Sequence, residues 1–233
     1  MLVGVNHRLN VFGYLYLGAF DQKYADSGNA GMLDLVLALE WVRDNIEAFG
    51  GDPDKVTIMG ESGGGMKVST LLAMEKAKGL FRHAIVESGS APVGSLSTKQ
   101  AAQVASLILD KLGIKPTELD KLETIPAREI FDAAMSISEC NDALGLRPVG
   151  DGINLPFNAT GVYKAPVISK NIPLLVGAAE DEIAFSAMRM EDFTWDELRD
   201  KLLEPIVDLS GRSCFCEDRQ PLNRRDGMAC LHN

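Results

Sequence analysis

The sequence predicts an α/β protein built on a mostly parallel β-sheet, with helices on both faces of the sheet. Two observations predict this class: short apolar or β-branched runs alternate with segments of helical period, and glycine-rich turns join them. A chain of 233 residues with 46% hydrophobic and 24% charged positions is also typical of a globular protein that buries one sizeable core without disulfides.

Five segments in the amino-terminal part of the chain establish the alternation. Residues 2–5 are apolar throughout and are predicted as a buried strand. Between residues 29 and 49 the apolar side chains recur every three or four positions, which predicts a long amphipathic helix. Residues 56–59 are predicted as a β-branched strand, a helix is expected from about residue 64 to 74, and residues 84–86 are predicted as the next buried strand.

The carboxyl-terminal part continues the pattern with more helix. Residues 98–138 are charged and helix-rich, and Pro116 and Pro126 divide them into short helices that we expect to form a cap over the sheet. Residues 172–176 are predicted to restore a buried strand, and residues 195–203 are predicted as a further amphipathic helix.

The last 23 residues differ in character from the rest. Residues 211–233 hold three of the four cysteines and four arginines, and they show neither the helical nor the strand period. We therefore expect residues 1–210 to form a partial α/β domain and residues 211–233 to lie outside the packed fold. A buried strand at residues 2–5 with nothing before it also suggests that the domain begins further upstream.

Charge and hydropathy exclude several classes of partner. The 33 acidic and 23 basic residues give a formal net charge of −10, which repels nucleic acid and anionic lipid. Charges interrupt every apolar run well before the length that a membrane-spanning helix needs. The first residues carry no basic leader, so a cytoplasmic location is expected. The oligomeric state is left open.

One motif carries specific chemistry. Residues 60–64 match G-x-S-x-G between a predicted strand and a predicted helix, where Ser62 would stand on a sharp turn with its hydroxyl clear of the sheet. We expect Gly60 and Gly64 to give the turn its room and the N–H of Gly63 to face an oxyanion. The alternative is an ordinary glycine-rich turn in which the serine caps a helix.

A nucleophilic serine needs a base, and the base needs an acid that orients it. The acidic triplet at residues 180–182 follows the later strand at the expected edge of the sheet, although a solvated loop would explain it too. Of the three histidines, His7 and His83 precede the strands that would position the acid. His232 follows the acid but lies beside the carboxyl terminus in the atypical tail, so none of the three is a convincing base.

Metal and cofactor sites are not predicted. A zinc site is conceivable from the thiolates and imidazole of the tail, but only one residue separates the first two cysteines, whereas zinc fingers use two to four. Its ligands would be Cys214, Cys216, Cys230 and His232. The glycine run at residues 63–65 lacks the lysine of a phosphate-binding loop, so no cofactor is expected.

Several segments together resemble the type-B carboxylesterases, the α/β-hydrolase family that includes bacterial para-nitrobenzyl esterases, cholinesterases and neuroligins. They are residues 6–9, 28–34, 39–41, 45–46, 49–53, 56–57, 60–62, 88–90, 147–149, 151–152 and 177–182, and the resemblance covers about residues 1–210. It implies an α/β-hydrolase fold and a serine carboxylesterase that forms an acyl-serine intermediate without a cofactor.

Carried over position by position, the resemblance makes Ser62 the nucleophile, Glu182 the triad acid and the Gly63 N–H one oxyanion-hole donor. It also implies that Arg8 pairs with Asp34. The family's other oxyanion donors lie upstream and its histidine far downstream, so we expect the chain to be an internal piece of a longer esterase, inactive and poorly soluble by itself.

Two further hypotheses remain open from the sequence. A non-catalytic, neuroligin-like binding protein could use the same fold, although it would have no need of Ser62 or Glu182. An amidase or a lactonase would share the acyl-transfer chemistry of the motif. The substrate is expected to be a small-molecule ester, whose acyl and alcohol parts the sequence does not define.

Overall fold

The computed structural model describes residues 1–89, 95–138, 146–156, 169–179 and Glu182. All of them belong to one compact unit, Met1–Ala184. The strands are β1 (Thr57–Glu61), β2 (His83–Glu87), β3 (Leu96–Ser97), β4 (Val149–Gly150) and β5 (Leu174–Gly177). The α-helices are α1 (Asn10–Tyr14), α2 (Ala30–Asn45), α3 (Gly63–Leu71), α4 (Thr98–Lys111) and α5 (Ala127–Ser138). Short 3₁₀ helices occupy Gln22–Tyr24, Ser27–Asn29, Ile46–Phe49, Pro53–Lys55, Glu75–Ala77 and Pro116–Glu123.

The sheet that positions the site has the order β1-β2-β5, and its strands are parallel. Thr57 pairs with His83 at the start of β1 and Glu61 pairs with Glu87 at its end, while Glu87 pairs with Gly177 on the other side. The parallel sheet is confirmed, but the prediction that its later strand is buried is wrong, because Leu174, Leu175 and Val176 of β5 are 51–65% exposed. Because parallel strands end at the same edge, the residues that follow β1, β2 and β5 lie side by side. A second parallel pair joins β3 to β4.

The long helix predicted between residues 29 and 49 is confirmed as α2 followed by one 3₁₀ turn, Ile46–Phe49. Gly50 ends it with φ 81°, a left-handed conformation that glycine adopts without strain. Met32 and Val36 of α2 pack with Val68 of α3 and with the strands β1 and β2 in one apolar cluster. This cluster fixes the turn between β1 and α3 against the sheet.

The helix-rich character of residues 98–138 is confirmed. A capping box between Ser97 and Gln100 begins α4, the 3₁₀ helix Pro116–Glu123 begins at its proline, and α5 follows Pro126. Most buried side chains of α4 and α5 form an apolar cluster with residues 11–17 rather than with the sheet of β1, β2 and β5, while Ala101 of α4 packs with β3 and β4. That these helices cap a site remains a prediction.

A buried polar network joins two segments about 120 residues apart. The amide of Asn29, 1% exposed, donates to the carbonyl of Val149 at 2.7 Å and accepts the N–H of Val149 at 3.0 Å. Asn29 also donates to Asp151, and Asn154 donates to Asp26 at 2.6 Å. No pattern in the sequence indicated this network, because the pairing of distant segments has no local signature.

The prediction of a buried strand at residues 2–5 is wrong for the described structure. These residues are exposed, Leu2 by 87%, and they form no strand. Within the described part of the chain β1 pairs only with β2, and residues 1–5 and β1 line a cavity of about 780 Å³ between them. An apolar run becomes a strand only when another strand hydrogen-bonds to it, and residues 2–5 have no such neighbour here.

Two other predicted elements, the helix at residues 195–203 and the tail at residues 211–233, lie outside the described residues. No helix within the described ranges is long and apolar enough to cross a membrane.

Candidate active site

Ser62 stands on a strained turn between β1 and α3. Its backbone has φ 52° and ψ −118°, a combination that costs a non-glycine residue free energy, and its side chain is exposed. The Ser62 N–H donates to the carbonyl of Glu87 on β2 at 2.8 Å. The predicted strand–turn–helix context is therefore confirmed, and the sheet holds the turn in place.

The glycines around Ser62 give the turn its room, but not all of those predicted. A Cβ on Gly60 would collide with the backbone of Gly64 and lie 2.9 Å from the nitrogen of Gly65. A Cβ on Gly65 would lie 2.8 Å from the carbonyl oxygen of Glu87. A Cβ on Gly64 would meet no described atom within 4 Å. The prediction is thus correct for Gly60 and wrong for Gly64, because Gly65 is the second glycine that faces the strands.

The amino terminus of α3 provides hydrogen-bond donors beside Ser62. The first helical hydrogen bond runs from the N–H of Met66 to the carbonyl of Ser62, at 2.9 Å. The N–H groups of Gly63, Gly64 and Gly65 precede it and have no partner inside the helix. Together with the positive end of the helix dipole, they can stabilise an oxyanion next to the serine hydroxyl.

Glu182 lies after β5, at the same edge of the sheet. One carboxylate oxygen, Oε2, accepts the backbone N–H of Ala179 at 2.7 Å and the hydroxyl of Ser88 at 3.2 Å. No described group bonds the other oxygen, Oε1. Glu180 and Asp181 lie outside the described residues. The carboxylate is therefore anchored through one oxygen and leaves the second available to a donor.

Ser88 is the residue of the site to which the sequence assigned no role. It follows β2 as Ser62 follows β1, and it has the same φ of 52°. The signals in the sequence were the serine-glycine pair after a buried strand, which occurs at both Ser62 and Ser88, and the resemblance of residues 88–90 to the family. A turn signal of this kind predicts a loop and says nothing about a contact with a residue 94 positions later.

The strand ends define the spacing of the site. With about 4.8 Å between neighbouring strands, the backbones that follow β1 and β5 lie about 10 Å apart. A histidine ring hydrogen-bonded at both nitrogens spans about 7–8 Å between its two oxygen partners. The edge of the sheet therefore has the width for one imidazole between Ser62 and Glu182.

Neither described histidine fills that position. His83 begins β2 and so lies at the amino-terminal edge of the sheet, about 16 Å of strand away from the edge that holds Ser62. The Nδ1 of His7 is hydrogen-bonded to the carbonyl of Arg8 at 3.0 Å. His232 lies outside the described residues.

The predicted pairing of Arg8 with Asp34 is confirmed. The guanidinium donates to both carboxylate oxygens, at 2.9 and 2.7 Å, and the backbone N–H of Arg8 adds a third bond at 2.9 Å. The hydrogen bonds from Arg8 hold the pKa of the Asp34 carboxyl below its ordinary value. The side chain of Asp34 is 23% exposed and that of Arg8 57%, so the carboxylate is the less exposed partner.

Within the described ranges no group of three or more histidine, cysteine, aspartate or glutamate side chains is placed to hold a metal ion. The cysteines and the histidine weighed for a zinc site, Cys214, Cys216, Cys230 and His232, lie outside those ranges.

A parallel sheet, a serine at positive φ between a strand and a helix, and an acid after a later strand are the features of an α/β-hydrolase fold. The sequence pattern of the carboxylesterase family matches residues 1–209, and the chain belongs to that family.

Individual relatives support the assignment. The chain is 44% identical over 186 residues to the para-nitrobenzyl esterase of Bacillus subtilis, covering 78% of this chain and 37% of that protein. A carboxylesterase structure from Geobacillus stearothermophilus matches with a TM-score of 0.74 and 39% identity, over 84% of this chain and 41% of that one. An esterase from Clostridium hathewayi, described as able to hydrolyse aliphatic aromatic polyesters, matches with a TM-score of 0.66 and 38% identity, over 87% and 41%. The chain spans about two fifths of the length of these relatives.

Proposed function

We propose that the protein containing these residues hydrolyses carboxylic esters through an acyl-serine intermediate, with Ser62 as nucleophile and Glu182 as the triad acid. The observation that carries the proposal is the arrangement of Ser62 and Glu182 at the same edge of the sheet. There a strained, exposed serine faces the start of a helix, and a carboxylate anchored by one oxygen lies two strands away. No observation favours the non-catalytic alternative, for which neither feature would be needed.

The chemistry follows from this arrangement. A histidine from outside the described residues takes the proton of the Ser62 hydroxyl, and the oxygen attacks the ester carbonyl. The Gly63 N–H and the start of α3 stabilise the oxyanion that forms. The tetrahedral intermediate collapses, the alcohol leaves with the proton from the imidazole, and an acyl-Ser62 remains. Water then attacks the acyl group by the same route and releases the carboxylic acid.

In this scheme Glu182 accepts the second ring N–H of the histidine through its unoccupied Oε1. That bond selects the tautomer in which the other nitrogen can take the serine proton, and it stabilises the imidazolium that forms. The bonds from Ala179 and Ser88 to Oε2 keep the carboxylate from turning away. No metal or organic cofactor has a step in this chemistry.

The proposed substrates are small-molecule carboxylic esters. The relatives named above include a para-nitrobenzyl esterase and an esterase that acts on aliphatic aromatic polyesters, so esters with an aromatic part are the first to test. Para-nitrobenzyl acetate is a suitable probe, because its hydrolysis is measured by separating the free alcohol.

The test is Ser62→Ala in the full-length protein that contains residues 1–233. We expect kcat to fall at least about a thousandfold, the scale of removing a triad serine. A fluorophosphonate should label the wild type at Ser62 and leave the variant unlabelled. Ser136→Ala is the matched control, because within the described residues its hydroxyl bonds to the carbonyl of Ala133 in α5 and to no group of the site. Ester hydrolysis retained in Ser62→Ala would contradict the proposal.

A further inference from the structure

A lysine side chain lies beside the proposed oxyanion site. Lys67 is the fifth residue of α3, one helical turn after Gly63. Long side chains in a helix point back toward its amino terminus, and the Nζ of Lys67 donates to the carbonyl of Gly63 at 3.1 Å. The mechanism proposed above uses the N–H of Gly63 and the start of α3, but it gives Lys67 no role.

The ammonium of Lys67 is close to the oxyanion donor itself. A Cβ on Gly63 would lie 3.8 Å from the Nζ of Lys67. Because a Cβ is about 2.5 Å from the nitrogen of its own residue, Nζ lies within about 6 Å of the Gly63 nitrogen. An oxyanion that accepts this N–H at about 2.9 Å would therefore be no more than about 9 Å from the positive charge.

The ammonium is half-buried, and among the described residues no carboxylate pairs with it. Burial lowers the pKa of Lys67 below its ordinary value. In the cavity that Lys67 lines, the other charged side chains are Asp52 and Lys55, which bond to each other at 2.9 Å. Several exposed lysines pair with a carboxylate at 3.2 Å or less; these are Lys23, Lys55, Lys78 and Lys121.

This position is unfavourable for a cation in the resting protein. A charge that is partly removed from water without a counter-ion costs free energy, and the start of a helix already carries the positive end of the dipole. The same two features favour an anion nearby. In the proposed reaction an anion forms next to Gly63 only when the Ser62 oxygen has attacked the ester carbonyl. The unpaired charge therefore stabilises the transition state more than the resting state.

We propose that Lys67 strengthens the oxyanion site. Its ammonium adds a positive charge to the N–H groups at the start of α3, and its hydrogen bond to the Gly63 carbonyl polarises the peptide group that carries the N–H of Gly64. The inference rests on the proposed function, because it assigns Lys67 a role in the same reaction. Lys67 does not contact the reacting atoms in this scheme, so it is a positioning residue that acts through this peptide group and through its charge.

The distance sets the size of the effect. A unit charge about 9 Å from the oxyanion, at an effective dielectric constant between about 20 and 80, changes the rate about 2–20-fold. The oxyanion is absent from the bound ester before attack. The loss of the charge should therefore lower kcat and change KM little.

Three variants of the full-length protein separate the charge from the side chain. Lys67→Met keeps an unbranched side chain and removes the charge, so kcat should fall about 2–20-fold with KM nearly unchanged. Lys67→Arg keeps the charge and should retain more activity than Lys67→Met. Lys76→Met is the matched control, because it removes an exposed lysine beyond the carboxyl end of α3. That charge is more than about 10 Å from the site and is screened by salt, so kcat should not change.

Restoring the charge chemically distinguishes it from the packing of the side chain. In Lys67→Cys, treatment with 2-bromoethylamine places an ammonium on a side chain of nearly the length of lysine, and mass spectrometry confirms the modification at residue 67. We expect kcat of Lys67→Cys to rise at least about twofold on treatment. The wild type treated in the same way controls for the other cysteines and should show no rise.

Urea unfolding of the same variants measures stability separately. Removal of a half-buried ammonium that has no counter-ion should leave Lys67→Met as stable as the wild type or more stable. A lower kcat in a variant of undiminished stability would then reflect the site rather than the fold.

The outcomes are distinct. Wild-type kcat in Lys67→Met would overturn the inference, and so would a change confined to KM or a loss that neither arginine nor aminoethylation reverses. If the wild type hydrolyses no ester, or if hydrolysis survives Ser62→Ala, the proposed function itself fails. Hydrolysis that depends on Ser62 and is indifferent to Lys67 would refute this inference alone.

Discussion

The proposed nucleophile and the proposed acid of the site are held in different ways. Ser62 is fixed by backbone: a strained turn, glycines that allow close approach, and one hydrogen bond from its N–H to β2. Glu182 is fixed through its side chain by Ala179, three residues away, and by Ser88, 94 residues away. Geometry set by backbone needs only small residues in a short stretch of sequence. Geometry set by side chains needs distant residues to meet.

This difference means that the two halves of the site should respond to different substitutions. Substitutions that enlarge a side chain should disrupt the turn that holds Ser62, because even one added methyl group on its closely packed glycines would collide with main-chain atoms. Substitutions that remove a hydrogen-bonding group should impair the orientation of Glu182, because its carboxylate can turn while the fold keeps its shape.

The first prediction concerns the acid. Glu182→Gln in the full-length protein should lower kcat about a thousandfold or more, because an amide can hold the histidine in the wrong tautomer. Glu180→Gln and Asp181→Asn are the controls for position, and each should retain kcat within about threefold. If one of these two were crippling while Glu182→Gln was tolerated, the assignment of the acid would be wrong.

The second prediction tests the backbone side through stability. Gly60→Ala should lower the free energy of unfolding by about 3 kcal/mol or more, since its Cβ would collide with the backbone of Gly64. Gly63→Ala is the comparison, because its Cβ would meet only the ammonium of Lys67, at 3.8 Å. Its stability should be unchanged or slightly higher, as alanine favours helix. Urea unfolding of the full-length protein measures both, and equal losses would refute the distinction.

The third prediction concerns the ion pair between Arg8 and Asp34. Asp34→Ala should destabilise by about 2–3 kcal/mol, because it removes the acceptor of three hydrogen bonds, one of them from a backbone N–H. Arg8→Ala should cost only about 1 kcal/mol, since most of that side chain already faces solvent. Urea unfolding at pH 7 compares the two, and a larger loss in Arg8→Ala would contradict the asymmetry.

The same pair predicts a dependence on pH. The pKa of Asp34 is lowered in the folded state, so the contribution of its carboxylate is present above the unfolded pKa of about 3.9 and is lost as pH falls below it. The difference in unfolding free energy between the wild type and Asp34→Ala should therefore shrink from pH 6 to pH 3. A constant difference over that range would show that the charge does not contribute.

The smallest expected effect is at Tyr14. Burial, with the nearby Asp34 carboxylate, raises the pKa of Tyr14 to about 12, and within the described residues its buried hydroxyl has no hydrogen-bond partner. The folded state then binds the phenolic proton more tightly than the unfolded state, so this tyrosine costs stability as pH rises above about 10. Tyr14→Phe should be within about 1 kcal/mol of the wild type at pH 8 and gain about 1 kcal/mol on it by pH 11. An unchanged difference between the two pH values would contradict the shift.

The comparison between nucleophile and acid also explains which expectations succeeded. The alternation of strands and helices, the turn at Ser62 and the helix boundaries at Pro116 and Pro126 all depend on neighbours in sequence, and the structure confirms them. The prediction of a strand at residues 2–5 was wrong because an apolar run does not indicate which strand, if any, lies beside it. The choice of Gly64 over Gly65 failed because the motif does not indicate which glycine faces β2.

By itself, the sequence determined the class of fold, the place of Ser62 between a strand and a helix, and the acidic segment after the later strand, since periodicity and turn residues act over short range. Only the tertiary structure brought Ser88 to Glu182, Gly89 to Gly65 and Asn29 to β4. Those contacts join residues 24 to 120 positions apart. They depend on the order of strands in the sheet, and that order is decided by packing over the whole domain rather than by any local pattern.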